Sequence, residues 1–315
     1  KGSPIDQEGL SHSIETTLQA EGVFSDIQIS FEEVESGVCA HISLTEKVAL
    51  IPLPFMAVSN NSFMGGGFLL DMNALGMKNM FAVGGLISAS SQMALLAFSK
   101  PSLPGELGFS TSASFSHSSE NKVTNIENDT VFDYKSLSAS ASATLNASFG
   151  EGLKGSAGLS YAYKNLDDDY DTLSSYHEAS IRLGLSYAKS DWNGYFMSGH
   201  ALSSSVTATY TTQGELSEKA EFSASLQYPL VPRFRLLLQT SGAVGHNLDI
   251  TQEFSKGSAG SFVLNSSFRT DTIAGAWAGF EWGALQTKLG LFSLYGQYEG
   301  VVAADYDDSM VFAHG

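Results

Sequence analysis

Seven histidines (His12, His41, His117, His177, His200, His246 and His314) and one cysteine, Cys39, are the side chains of this sequence best suited to metal or nucleophile chemistry. Structural and catalytic metal sites draw such ligands from neighbours a few residues apart, and none of the seven has a partner at that spacing; His177-Glu178 is the nearest approach. A lone cysteine excludes an intramolecular disulfide and a cysteine-based metal site, and its alternation with Val38 and Ala40 predicts a quiet, buried thiol. There is no G-x-S-x-G elbow, P-loop or dinucleotide fingerprint, and Gly65-Gly66-Gly67, with no Lys-Ser/Thr after it, reads as a flexible turn. The sequence carries no recognisable active site and implies no enzyme and no cofactor.

Acidic residues are the remaining candidates. They concentrate in four polar inserts, Ser118 to Asp129, Leu166 to Ser175, Asn247 to Ala259 and Asp305 to Ser309, densest at Asp167-Asp168-Asp169 and Asp307-Asp308. Such runs hold a divalent cation, bridge one to anionic headgroups, or simply form solvated loops, and the last is the preferred reading. The formal net charge of −17, with only 16 Lys and Arg, excludes nucleic-acid binding and disfavours anionic inner-leaflet lipid.

Only 16% of residues are charged, and Ser, Ala and Gly stand where Lys and Glu would keep a soluble surface wet. Large surfaces therefore face something other than water. The first 47 residues follow one pattern. Leu10, Ile14 and Leu18 recur at helical spacing between Asp6 and Gly22, predicting a capped helix with one buried stripe. Ile27, Ile29 and Phe31, a turn at Ser36-Gly37, then Val38, Ala40, Ile42 and Leu44 predict a hairpin. This α+β unit is small, so further elements are expected before Lys1, where no methionine or signal peptide stands.

From Val48 onward the period is two. Leu137, Ala139, Ala141, Ala143, Leu145, Ala147 and Phe149 alternate with Ser138, Ser140, Ser142, Thr144, Asn146 and Ser148, and the pattern returns at Phe109 to Phe115, Ile181 to Tyr187, Val206 to Tyr210, Phe222 to Tyr228 and Leu285 to Leu291. About fourteen strands follow, many reaching the ~9 to 11 residues a tilted strand needs to cross a bilayer. The charge-free stretches Val48 to Leu70 and Asn79 to Ser99 are long enough for helical spans. However, Pro52, Pro54, Asn60-Asn61 and the Gly65 to Gly67 run break the first, and Gly84-Gly85 and Ser88 to Ser91 the second, so each divides into two strands. Tyr161, Tyr163, Tyr187, Tyr195, Phe196, Tyr210 and Tyr228 fall near strand ends, where interfacial rings belong. An open sheet of this size leaves unpaired edges, and in lipid each unsatisfied amide is costly, so residues 48–315 are expected to form a transmembrane antiparallel β-barrel; a soluble β-sandwich or propeller is the competing fold.

Several strings resemble the BamA family of outer-membrane assembly factors, in which POTRA domains precede a barrel. Gly2-Ser3-Pro4-Ile5-Asp6 and Glu21 to Ile27 resemble the second half of a POTRA domain. Asp71-Met72-Asn73-Ala74-Leu75-Gly76 is similar to a D-x-N-x-L-G turn after the second barrel strand, with Asp71, Asn73, Leu75 and Gly76 at its motif positions. Ala97-Phe98-Ser99-Lys100-Pro101 resembles a strand end two strands later, and Asn193 to His200, including Gly199, resembles a mid-barrel turn, with Met197 where proline is usual. Phe268-Arg269-Thr270-Asp271 is the nearest match to the inward loop's Arg-Gly-aromatic motif; it keeps Arg269 and loses the glycine and the aromatic. The resemblance implies a partial POTRA domain over 1–47 in the periplasm and an incomplete sixteen-stranded barrel over 48–315 in the bacterial outer membrane, its last two strands lying beyond Gly315. It also implies partners: outer-membrane lipids, unfolded clients or a secreted passenger, and accessory lipoproteins.

Three functions are consistent with such a barrel: insertion of outer-membrane proteins through a weak strand seam, translocation of a single passenger of the two-partner or patatin-linked kind, and a passive solute pore. The first strand, Leu50 to Val58, carries Pro52, Pro54 and Phe55, and the prolines cannot donate to a ladder, which predicts a poorly zipped seam. If Arg269 belongs to an inward loop it should meet an acidic residue of the wall; otherwise it is a strand-end arginine at the interface.

Overall fold

The computed structural model describes residues 9–11, 14–15, 24–34, 37–46, 50–59, 62–77, 79–102, 105–168, 173–192, 196–287, 290–305 and 309–315. Residues 9–11 and 14–15 are helical, as the Leu10/Ile14 spacing predicts, although Leu10 is exposed; Asp6, Leu18, Gly22 and the strings Gly2 to Asp6 and Glu21 to Val23 lie outside the described residues. Strands β1 (Phe24–Val34) and β2 (Gly37–Glu46) form the predicted hairpin, pairing Ile27 with Leu44, Ile29 with Ile42 and Phe31 with Ala40. Cys39 is exposed, not buried. It pairs with Glu32, beside the Ser30–His41 pair, and so sits on the polar side of the ribbon, where His41 Nε2 lies 3.1 Å from Glu32 Oε2.

The remaining strands are β3 (Leu50–Ser59), β4 (Ser62–Ala74), β5 (Asn79–Ser88), β6 (Ser91–Lys100), β7 (Leu107–Thr124), β8 (Thr130–Gly150), β9 (Leu153–Asp167), β10 (Tyr176–Trp192), β11 (Met197–Thr211), β12 (Leu216–Val231), β13 (Phe234–His246), β14 (Thr272–Thr287), β15 (Gly290–Ala304) and β16 (Met310–His314). They form a single fourteen-stranded antiparallel meander in which each strand pairs with its neighbours in sequence, and β3 and β16 are the edges. No ladder joins those edges among the described residues. No described helix is long and apolar enough to cross a membrane, which bears on helical crossing alone.

Register carries the alternation across the sheet. Leu145 pairs with Phe109 and Ala157, whereas Ser142 pairs with Ser112 and Ser160, so apolar side chains collect on one face and hydroxyls on the other. The apolar face stands open: Leu159, Ile181, Leu183, Val206 and Tyr210 are all exposed. On the opposite face hydroxyls satisfy one another across strands, with Ser112 to Ser142 at 2.8 Å, Ser114 to Ser140 at 2.7 Å and Ser180 to Thr209 at 2.9 Å. The sheet wraps around this hydroxyl face, because the segment 247–271 touches β7 and β15, eight strands apart: Thr124 N donates to Ser267 O, and Glu299 accepts from Ser261. The hydroxyl face is thus the inside and the apolar face the outside.

Both charge-free stretches are strand pairs, β3–β4 and β5–β6, the second turning at Ser88 to Ser91 through a 2.9 Å bond from Ser91 N to Ser88 Oγ. The glycine triplet is not a turn. Gly65, Gly66 and Gly67 lie within β4, where a Cβ on Gly66 would sit 2.1 Å from the carbonyl of Gly85 on β5. Nor is Leu285 to Leu291 one strand: β14 ends at Thr287 and β15 begins at Gly290, so the alternation runs through a tight connection. Ser118 to Thr124, expected in a loop, extends β7, which pairs there with residues 130–134 of β8.

Candidate functional site

Between β13 and β14 the chain does not form the solvated loop expected of Asn247 to Ala259. Residues 247–271 fold inward, and Phe254, Ala259, Leu264 and Phe268 bury themselves against Ala243, Ile273, Val301 and Ala303 of the inner wall, Phe268 being wholly inaccessible. Its two limbs pair with each other, Phe254 N donating to Thr270 O at 2.7 Å and Thr270 N to Phe254 O at 3.1 Å.

Polar anchors fix both ends of this plug. Near its start, the Asp249 carboxylate accepts the buried Tyr176 hydroxyl at 2.6 Å and the Thr251 amide at 2.7 Å. Lys164 Nζ donates to Thr251 at 2.5 Å and to Glu178 at 2.9 Å, while Gln252 donates to Glu178 at 3.0 Å and accepts from Ser217 at 2.7 Å. At the far side, Glu299 of β15, only 3% exposed, receives the Ser261 hydroxyl at 2.9 Å and the amides of Phe262 and Val263 at 2.7 and 2.5 Å, all on Oε1. These are charge-assisted bonds in a low-dielectric site, the strong kind.

Arg269 does not meet a wall carboxylate. Its guanidinium donates at 2.8 Å to the carbonyls of Ser266 and Phe268 in its own loop, and among the described residues it makes no ion pair; nor is it a strand-end residue, since it lies in the plug. The loop's contact with an acidic wall residue is made instead by main-chain amides on Glu299. Glu253 lies nearby on the first limb with Oε2 buried and unpartnered. Burial, reinforced by the carboxylates of Asp271 and Asp249 and opposed by Arg269, pushes its carboxyl up to about 7.

Below the plug the lumen keeps a cavity of about 690 Å³, lined by Asn146, Lys154, Arg182, Ser205, Glu221 and Ser258 among others. Arg182 donates to Ser205 at 2.8 Å and to Glu221 at 3.1 Å. Deeper, toward the short-turn end, Arg235 bridges Glu281 at 2.6 Å, Gln227 and the Met197 carbonyl, with its guanidinium 4.9 Å from the Phe196 ring. Phe196 is therefore a buried lumen residue and not an interfacial ring, and Tyr195 lies outside the described residues; Tyr161, Tyr210 and Tyr228 stand exposed on the outer face.

The other positions named from sequence are dispersed. Asp71 Oδ1 accepts the Asn73 amide at 2.9 Å, Gly76 N bonds Asn73 O at 2.8 Å, and Leu75 and Gly76 have φ of 63° and 68°, so the D-x-N-x-L-G string is the β4–β5 turn. Gly199 has φ 149°, and a Cβ there would fall 2.2 Å from Lys189 O. On the β3 edge, the Leu53 carbonyl faces β4, so the nitrogens of Pro52 and Pro54 fall on the unpaired side; Phe55 turns inward. Asp168 is buried and accepts from the Leu173 amide, while Asp169, Asp307 and Asp308 lie outside the described residues. Sequence reasoning missed Glu299, Asp249, Glu253 and Arg235. The available signal was a lone acid at an inward position of an alternating strand, as in Ser293, Tyr295, Gln297, Glu299.

An antiparallel meander wrapped around an inward-folded loop between its eleventh and twelfth strands defines a β-barrel wall with a lumen plug. Among solved structures this fold is that of BamA from Haemophilus ducreyi lacking POTRA domains 1–3, with a TM-score of 0.70 at 14% identity over 97% of this chain and 67% of that one. CdiB from Acinetobacter baumannii matches with 0.54 at 11% over 100% and 66%, and CdiB from Escherichia coli with 0.58 at 15% over 91% and 63%. The chain thus spans about two thirds of the length of these proteins, and at such identities the likeness is one of fold. No protein-family profile and no curated protein sequence matches it.

Proposed function

We propose that residues 48–315 are the wall of a bacterial outer-membrane barrel of the BamA type, which assists insertion of outer-membrane proteins by pairing their strands at the β3 edge. The observation that carries this reading is the edge itself: over Leu50 to Val58 it offers carbonyls throughout but lacks donors at Pro52 and Pro54. A seam closed on such a strand is weak, and backbone pairing with a client needs no particular client sequence. Residues 1–47 then face the periplasm as part of a POTRA domain, outer-membrane lipid covers the apolar face, and clients and accessory lipoproteins are the partners.

The test is a reversible lock. In the full-length protein, cysteines joining β3 at Met56 to the last strand should stop client insertion into vesicles when oxidised and restore it on reduction. Unchanged insertion with a fully formed disulfide would falsify the reading. The hydroxyl-lined cavity favours a second reading, translocation of a secreted passenger, and passage of a passenger through the locked barrel would decide for it.

A further inference from the structure

Over most of the inner wall the hydroxyls bond one another, Ser112 with Ser142, Ser180 with Thr209 and Ser203 with Ser223, the last at 2.7 Å. One patch differs. Asn146 of β8 stands opposite Ser156 of β9, which stands opposite Gly184 of β10, and in the adjoining inward row Lys154 stands opposite Ser186. Among the described residues the side chains of Asn146, Lys154, Ser156 and Ser186 make no hydrogen bond and no ion pair, and all four line the cavity of about 690 Å³. Their donors and acceptors are open to a ligand, in a space of the size that small molecules occupy.

The patch is also basic, in an acidic protein. The formal net charge is −17, yet the charged residues lining this cavity are Lys100, Lys154, Arg182 and Glu221. Lys100 pairs with outward Phe109, which leaves Lys154 and Arg182 to face one carboxylate. Arg182 bonds Ser205 and Glu221 through Nη2, and among the described residues its Nε and Nη1 meet no acceptor. On β10, Arg182 and Ser186, the partner of Lys154, are about 13 Å apart along the strand, a gap that two long cationic side chains can bridge. Gly184 lies midway. A Cβ there would fall 2.6 Å from the Ser156 hydroxyl, so the bare backbone keeps the floor between the cations open.

We propose that this patch binds a soluble sugar phosphate, with the phosphate between Lys154 and Arg182 and the sugar hydroxyls on Asn146, Ser156, Ser186 and Glu221 Oε1. Arginine and lysine are the side chains that hold phosphate, while amide, hydroxyl and carboxylate groups exchange hydrogen bonds with a sugar. A bare ion would leave the amide and hydroxyls idle, and a neutral sugar would leave the cations idle. The patch lies on the hydroxyl face, across the wall from the apolar face, so its ligand is a solute and not a lipid headgroup. Gly257 and Ser258 of the plug complete the lining, so an occupied site also restrains that turn of the plug. The site needs only the lumen and the plug, and holds whether the barrel assembles clients or translocates a passenger.

In the test, the full-length protein in lauryldimethylamine oxide, a detergent with neither sugar nor phosphate, is titrated by calorimetry with glucose 6-phosphate, glucose and inorganic phosphate. Glucose 6-phosphate should bind saturably, about ten-fold or more tightly than either fragment, and more weakly as ionic strength rises. Lys154→Gln and Arg182→Gln should each weaken it about ten-fold or more, and Arg182→Lys should recover part of the loss. Lys135→Gln, on the outer face beside Asp167, should change nothing. Heat-modifiable gel mobility checks the fold of each variant. In the wild type, saturating glucose 6-phosphate should slow amide exchange at Lys256 to Ser258 several-fold, a readout that needs no substitution. Four results overturn the inference: no saturable binding, phosphate or glucose bound as tightly as glucose 6-phosphate, equal effects of Lys135→Gln and Lys154→Gln, or plug amides left unprotected.

Discussion

Glu299 turns a wall strand into a loop receptor. Its Oε1, on a side chain almost wholly buried, takes two main-chain amides and a hydroxyl, so Glu299→Ala removes the acceptor that all three donors share. Such a loss costs about 2 to 3 kcal/mol, and amides 262–264 should exchange about thirty-fold faster or more. Exchange at wild-type rates would mean the apolar contacts alone hold the plug. Glu253 acts in the opposite sense. Its carboxyl is raised from the ordinary 4.5 to about 7 when the loop is docked, so ionisation disfavours docking. The loop is most stable below about 4.5, loses stability as pH rises toward 7 and is level above; the shift bounds the effect at about 3 kcal/mol, less for the partial exposure of the group. Glu253→Gln should tighten the plug at pH 8 and flatten this profile, read by hydrogen exchange of residues 252–256 corrected for intrinsic rates. A profile that persists in Glu253→Gln would overturn the assignment to Glu253.

At the scale of the strand, β3 combines two apolar faces with an edge short of two donors. Pro52→Val with Pro54→Val restores those donors on the side away from β4, leaving the β3–β4 ladder intact. The seam should tighten, client insertion should slow several-fold, and the temperature at which the barrel loses its compact gel mobility should rise; faster insertion would contradict the seam. The prolines were legible in the sequence because proline means one thing in a strand. So were β8 and its neighbours, since period two survives any tertiary context that keeps one face inside. The glycines of β4 were not, because what excludes a side chain from Gly66 is the Gly85 carbonyl on another strand, a fact of register. Leu285 to Leu291 failed differently: two strands of like pattern joined by a minimal connection keep one alternation across the break. The plug was least legible. Phe254, Leu264 and Phe268 follow no period, and the acids among them read as a wet loop until the wall supplies their partners.

For the molecule as a whole, the plug is held at two sites that share no residue, Asp249 on Tyr176 and, on Glu299, the Ser261 hydroxyl with the amides of Phe262 and Val263, with an apolar core between them. Releasing one anchor leaves the other and the core to keep the freed limb at high local concentration, so it rebinds faster than it leaves. Asp249→Ala or Glu299→Ala alone should therefore leave the conductance of the reconstituted barrel near that of the wild type, with brief openings. The double variant weakens both anchors of one body, leaving Thr251 on Lys164 and Gln252 on Glu178 and Ser217, and its effect should exceed the sum of the singles, giving longer and larger openings through the hydroxyl-lined lumen. The β3 to β6 sector contributes nothing to either anchor, so Leu95→Ser should leave all of these traces unchanged. Should Glu299→Ala by itself produce the full open state, the plug is a single latch hinged at Asp249, and the apolar core between the anchors adds little to its retention.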